Sequence, residues 1–343
     1  MLLVIFGAGA SYDSAPSYHP KSLTASSYND DRPPLANELF GNRPHFAEGM
    51  ARFPKCQPVI PLLRHRDKDV SVEQVLEQLQ TEAENYAEGY RQLAAIRYYL
   101  HFMIWECEHR WGRIHTGVTN YKTLLDRIHR RRLLEQVCLV TFNYDRMLEE
   151  ALPTVGIKIL NLSDYITSDD YKIIKLHGSV NWARELYAPI PIENIGQKNV
   201  WEIAYELIER AADLDISDKY RMVYEYPIAK FGSAVLFPAV AIPVETKRDF
   251  ECPEEHLNTL REFIPKVTKL LLIGWRATDA PFLELLSGSL PPRFSAMVVA
   301  GGREQAEEVV ERMRQAGIKG EFLRAEGGLT DFILDGKVDE FLR

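Results

Sequence analysis

Apolar residues are distributed along this chain in short, dense runs separated by longer amphipathic stretches. The runs are Leu2–Phe6, Val137–Thr141, Lys172–Leu176, Ala234–Phe237, Lys269–Ile273 and Ala296–Ala300. Their shortness and branched aliphatic content predict strands buried on both faces. Between several of them lie helical patterns long enough for crossovers, such as Tyr144–Leu152 and Arg303–Ala316. Strand and helix in alternation predict an α/β fold on an open parallel sheet.

From about Pro44 to Arg132 the period changes. Val72, Val75, Leu76 and Leu79 recur at helical spacing, followed by Leu93, Ile96, Leu100, Phe102, Met103 and Ile104, which predicts three or more helices. The chain therefore divides into a discontinuous core, residues 1–41 and 136–343, and a helical insertion, residues 42–135. A second, smaller insertion is expected at 184–230, with a helix over Val200–Ala212. Tyr12–Pro34 is rich in Ser, Pro, Asn, Asp and Tyr without a period, and reads as a long functional loop over the sheet edge.

Composition narrows the classes of function. Across 343 residues, 41 Lys and Arg against 49 Asp and Glu leave a net charge of −8, which argues against a broad surface tracking phosphates. The run Arg130-Arg131-Arg132 reads as a solvated helix end and not as a nucleic-acid contact. Tyr98, Tyr99, Phe102 and Trp105 read as core or subunit interface. No apolar run approaches the roughly 18 residues needed to span a bilayer. The opening MLLVIFGAGAS reads as a first strand and not as a signal peptide, so a cytoplasmic location is expected. Cys56, Cys107, Cys138 and Cys252 stand far apart, suggesting buried thiols and neither disulfides nor a four-cysteine zinc site.

The candidate chemistry gathers where predicted strands end. The first strand runs into Gly7-Ala8-Gly9-Ala10-Ser11, where glycine lets the backbone approach a pyrophosphate, or serves only to pack strand on helix. The dinucleotide fingerprint is incomplete, because Tyr12 occupies its third glycine position. The second strand ends in Thr141-Phe142-Asn143-Tyr144-Asp145. A carboxamide there can orient a ribose hydroxyl and a water, although Asn143 or Asp145 can equally cap the next helix. The third ends in His177-Gly178-Ser179, with a side chain suited to proton transfer near neutral pH. A fourth ends in Gly274-Trp275-Arg276-Ala277-Thr278-Asp279, where Trp275 stacks on a ring or packs, and Thr278 or Asp279 caps a helix. The last strand leads to Gly301, Gly302 and Glu304, within reach of an adenosine.

The order of these motifs resembles the sirtuin superfamily, which carries a Gly-Ala-Gly-x-Ser loop, a Thr-x-Asn-x-Asp motif, a Leu-His-Gly-Ser motif and a late Gly-rich strand end. The counterparts here are Gly7 to Ser11, Thr141 to Asp145, Leu176 to Ser179, and Ile273 onward. The resemblance covers about half the chain and implies a Rossmann-like sheet. Deacylating sirtuins carry two paired-cysteine zinc motifs after the catalytic histidine, whereas only Cys252 follows His177 here. With Tyr144 in the Asn motif and the loop continuing into YDSAP, the chain looks like the bacterial sirtuin-like NAD hydrolases of phage-defence systems.

That resemblance implies an NAD glycohydrolase, with NAD as substrate and no metal. Asn143 would hold the ribose and orient water, His177 would accept a proton, and Asp145 would support the ribose side. Gly7, Ala8, Gly9 and Ser11 would hold the pyrophosphate, with Asp13 and Arg32 in the adjacent loop. Thr141, Gly178, Ser179, Gly274, Trp275, Asp279 and Glu304 complete the expected binding set. The resemblance also implies a homo-oligomer, or a partner ATPase or other activator. Two competing functions are an NAD-dependent protein deacylase and a non-catalytic sensor of NAD or ADP-ribose.

Overall fold

A computed structural model describes residues 1–21, 29–65, 70–83, 86–115, 117–132, 135–187, 197–224, 226–232, 234–243 and 250–343. Five of the six apolar runs are strands of one parallel sheet: β1 (Leu2–Phe6), β2 (Val137–Thr141), β3 (Tyr171–Lys175), β8 (Lys269–Ile273) and β9 (Ser295–Val299). β1 and β2 are buried at every position, as strands covered on both faces must be.

The sixth run corrects the expectation. It forms β7 (Ala234–Val240), which lies in a separate antiparallel sheet with β4 (Gly178–Leu186), β5 (Ile216–Met222) and β6 (Lys230–Phe231), in the order β5-β4-β7-β6. An apolar run reports burial and not which neighbour buries it. The sixth parallel strand is β10 (Glu321–Ala325), an edge strand whose half-exposed pattern carries no dense apolar signal.

The parallel sheet has the order β10-β9-β8-β1-β2-β3. Taken in chain order this is 3-2-1-4-5-6, the doubly wound Rossmann arrangement, and its strand order reverses between β1 and β8. The described helices, in chain order, are α1 (Ala8–Tyr12), α2 (Pro44–Arg52), α3 (Ile60–Arg64), α4 (Val72–Ala83), α5 (Ala87–Ile114), α6 (Asn120–Arg131), α7 (Met147–Ala151), α8 (Asp164–Thr167), α9 (Val200–Glu209), α10 (Glu254–Phe263), α11 (Ala280–Ser289), α12 (Arg303–Gln315), α13 (Gly328–Leu334) and α14 (Lys337–Leu342).

Two large cores result. The first is the parallel sheet with α6, α10 and α12 packed on it; α6 contributes Tyr121, Leu124, Leu125 and Ile128. Helix α6 thus packs on the sheet although it falls within residues 42–135. The second core joins α2, α4, α5 and α9 to the antiparallel sheet through Phe53, Tyr98, Phe102, Leu207 and Phe237. The helical stretch and the 184–230 stretch therefore share one interior. Residues 188–196 and 225 of the latter, and 22–28 of the long loop, lie outside the described residues.

Arg130, Arg131 and Arg132 pair with Asp126, Asp339 and Asp170. All four cysteines are buried. Among the described residues, no helix is long and apolar enough to cross a membrane.

Candidate functional site

The loops that leave the C-terminal ends of the parallel strands surround a cavity of about 630 Å³, a volume suited to a small organic ligand. It opens over the β1/β8 reversal, where doubly wound sheets bind ligands. Its wall is completed by Glu73 of α4 and by Cys107 and Glu108 of α5.

The first and fourth loops interlock. Gly7 N–H donates to the Ile273 carbonyl and Gly9 N–H to the Gly274 carbonyl, each at 3.0 Å. A Cβ on Gly7 would stand 2.5 Å from Gly274 O, and one on Gly9 would stand 2.8 Å from Gly274 Cα. Gly274 has φ +58°, and a Cβ there would meet Ala10 N at 2.5 Å. These glycines are required by loop-on-loop packing. The amides of Gly7 and Gly9, expected to face a pyrophosphate, are instead committed to carbonyls, while Gly7, Ala8, Gly9 and Ser11 all line the cavity.

Asn143 is held from several sides. Its backbone N–H donates to Thr141 Oγ1 at 3.0 Å, which shapes the turn leaving β2. Its Nδ2 lies 3.0 Å from the Gly7 carbonyl, 2.9 Å from Ser11 Oγ and 3.2 Å from Tyr121 Oη. With Nδ2 on these acceptors, Oδ1 is the opposite pole, and no described residue donates to it. Ser11 Oγ donates to Asp145 Oδ2 at 2.7 Å and lies 3.0 Å from Tyr121 Oη. Because the Ser11 proton goes to Asp145, the tyrosine is the donor in the second contact. Burial pushes the Tyr121 hydroxyl well above its usual pKa, so it remains a donor.

Asp145 has two duties. Oδ1 accepts Met147 N–H at 3.1 Å, starting α7, while Oδ2 accepts Ser11. Burial raises its pKa to about 6, against the opposing pull of the Lys175 ammonium and the Ser11 hydrogen bond. Lys175 is itself fully buried beneath the site, donating to the Asp145 carbonyl at 2.5 Å and pairing with Glu149 at 2.9 Å.

His177 Nε2 lies 3.0 Å from Asp279 Oδ2. Asp279 also caps α11, its Oδ1 accepting Phe282 N–H at 3.0 Å, so the carboxylate is anchored by the helix it starts. Donation from Nε2 to Asp279 leaves the lone pair of the neutral ring on Nδ1. Phe142 packs edge-on against the imidazole, at 4.9 Å between centroids, and stacks on Trp275 at 5.4 Å. Trp275 is therefore both packed and part of the cavity wall.

The other expected residues separate into groups. Asp13 lines the cavity but is committed to Thr330, accepting its N–H at 2.8 Å and its Oγ1 at 2.6 Å, and burial raises its pKa. Thr141, Gly178 and Ser179 stand behind the wall. Gly178 has φ +77° and meets Ala239 O so closely that a Cβ would be 1.9 Å away; Ser179 Oγ lies 2.7 Å from Asn181 Oδ1. Glu304 is exposed on α12, outside the cavity, while Gln305, Glu308, Val309 and Arg312 of the same helix line its wall. Arg32, expected near a phosphate, instead donates to the Tyr12 and Tyr18 carbonyls and lies over the Tyr12 and Trp111 rings, bracing the loop.

Tyr121, Glu73 and the Gly327-Gly328 turn were not found from sequence. Tyr121 sits in an ordinary amphipathic pattern, and only the fold brings it to Asn143. Among the described residues, no group of three or more His, Cys, Asp and Glu is gathered as a metal site would be. No family model and no curated protein matches this chain.

Proposed function

We propose that this protein hydrolyses NAD at the bond between nicotinamide and ribose, releasing nicotinamide and ADP-ribose. The observation that carries the proposal is the Asn143 carboxamide, oriented by Gly7, Ser11 and Tyr121, in one cavity with the His177–Asp279 pair at the strand-order reversal. Cleavage passes the C–N bonding electrons to the pyridinium nitrogen, so nicotinamide departs neutral without acid assistance. The sugar left behind resembles an oxocarbenium ion, which carboxylates such as Asp145 and Asp279 favour electrostatically. Asn143 Oδ1 is suited to receive a hydrogen bond from the ribose or from the attacking water. His177 takes the proton as the water oxygen bonds to C1′, directly or through a ribose hydroxyl.

By its resemblance to sirtuin-like defence proteins, the enzyme would serve as a bacterial anti-phage effector, restrained in an oligomer or by a partner ATPase until triggered. Chromatographic assay of nicotinamide and ADP-ribose formed from NAD tests the activity. Asn143→Ala and His177→Ala should each lower the rate by roughly 10²–10⁴-fold with the circular dichroism spectrum retained. Intact NAD after prolonged incubation with candidate activators would refute hydrolysis and favour a sensor. Stimulation by an acyl-lysine peptide would favour deacylation.

A further inference from the structure

Glu73 stands out among the acids of the cavity. It is the second residue of α4, outside the parallel sheet, and only 9% exposed. Its Oε1 is 3.9 Å from Arg276 Nη2, an ion-pair distance too long for a hydrogen bond. Its Oε2 is buried with no hydrogen-bond partner. Among the described residues, every other acid that lines the cavity has a donor: Thr330 for Asp13, Arg146 for Glu108, Ser11 for Asp145, Phe282 N–H for Asp279 and Arg312 for Glu308. A buried carboxylate oxygen without a donor is costly, and a ligand that brings an N–H removes the cost.

The position of Glu73 selects which part of a dinucleotide it meets. Glu73 faces Arg276, on the loop that also carries Asp279, and Asp279 Oδ2 lies 3.0 Å from His177 Nε2. Glu73 therefore belongs to the His177 end of the cavity, beside the Arg276–Asp279 loop. In NAD the group beside the cleaved bond that carries N–H donors is the pyridine carboxamide.

We propose that Glu73 is a specificity residue whose unpartnered carboxylate oxygen accepts an N–H from the carboxamide of the pyridine leaving group and repels a pyridine carboxylate. The assignment rests on nicotinamide–ribose cleavage in this cavity. Two measurements test it with wild type and the near-isosteric Glu73→Gln: kcat/KM for NAD and for nicotinic acid adenine dinucleotide, and calorimetric binding of nicotinamide and nicotinate. Wild type should favour both amides, and Glu73→Gln, which offers an N–H to a carboxylate, should reduce each preference by about tenfold. The loss should fall mainly in KM for NAD. Equal treatment of amide and acid by wild type, no nicotinamide binding, or a preference untouched by Glu73→Gln would overturn it. If neither dinucleotide is cleaved, the hydrolase proposal fails, and the binding measurement still decides the role of Glu73.

Discussion

Asp145 links burial to pH. Desolvation is the largest influence on it and raises its pKa to about 6, so its carboxylate is ionised only above that pH. In the ionised form it accepts the Ser11 proton, which leaves Ser11 Oγ to accept from Asn143. Protonation removes that acceptor and loosens the carboxamide. NAD cleavage should therefore fall on the acid side with a midpoint near pH 6, and Asp145→Asn should flatten this limb while lowering the plateau; a pH–rate profile checks both. The stability term has the opposite direction. A carboxyl whose native pKa lies above its unfolded value, about 3.9, binds its proton more tightly when folded, so its contribution weakens as pH rises from about 4 to about 6. Urea unfolding of wild type and Asp145→Asn across that range should show wild type alone carrying this slope.

The strand-end loops act as interlocked pieces. Gly274 adopts φ +58° with its α-carbon against Gly9 and Ala10, so Gly274→Ala combines a left-handed backbone penalty with a backbone overlap. A destabilisation of about 2–4 kcal/mol is expected, read as a lower Tm, with loss of activity exceeding the loss of fold. At this scale β1, β2, β3, β8 and β9 were readable from sequence because burial on both faces demands uninterrupted apolar residues. β10 was not, since this edge strand leaves Glu321, Leu323 and Arg324 exposed, nor was the sheet that receives Ala234–Phe237, because hydrophobicity carries no record of its partner. The strand-end motifs were equally readable, yet the packing of their glycines against one another was not. Whether a glycine faces a ligand or another loop depends on what the remainder of the chain places opposite it.

Across the whole molecule, α5 is the tie. Its 28 residues, about 42 Å of helix, place Tyr98 and Phe102 in the second core and Trp111 in the first. Tyr144, at the end of a parallel strand, joins the second core and donates to the Ala241 carbonyl at 2.9 Å. The two cores should consequently unfold together, and differential scanning calorimetry should record one transition; two resolved endotherms would show them to be independent.

Local pattern was sufficient to locate the strands that end in Gly7–Ser11, Asn143 and His177, because periodicity and turn chemistry are properties of neighbouring residues. It could not pair His177 with Asp279, 102 residues away, or Ser11 with Asp145, 134 residues away. Nor could it bring Tyr121 to Asn143 or Glu73 to the cavity wall. Those contacts depend on the order in which the strands assemble and on which helices cover them, and only the folded chain specifies that order.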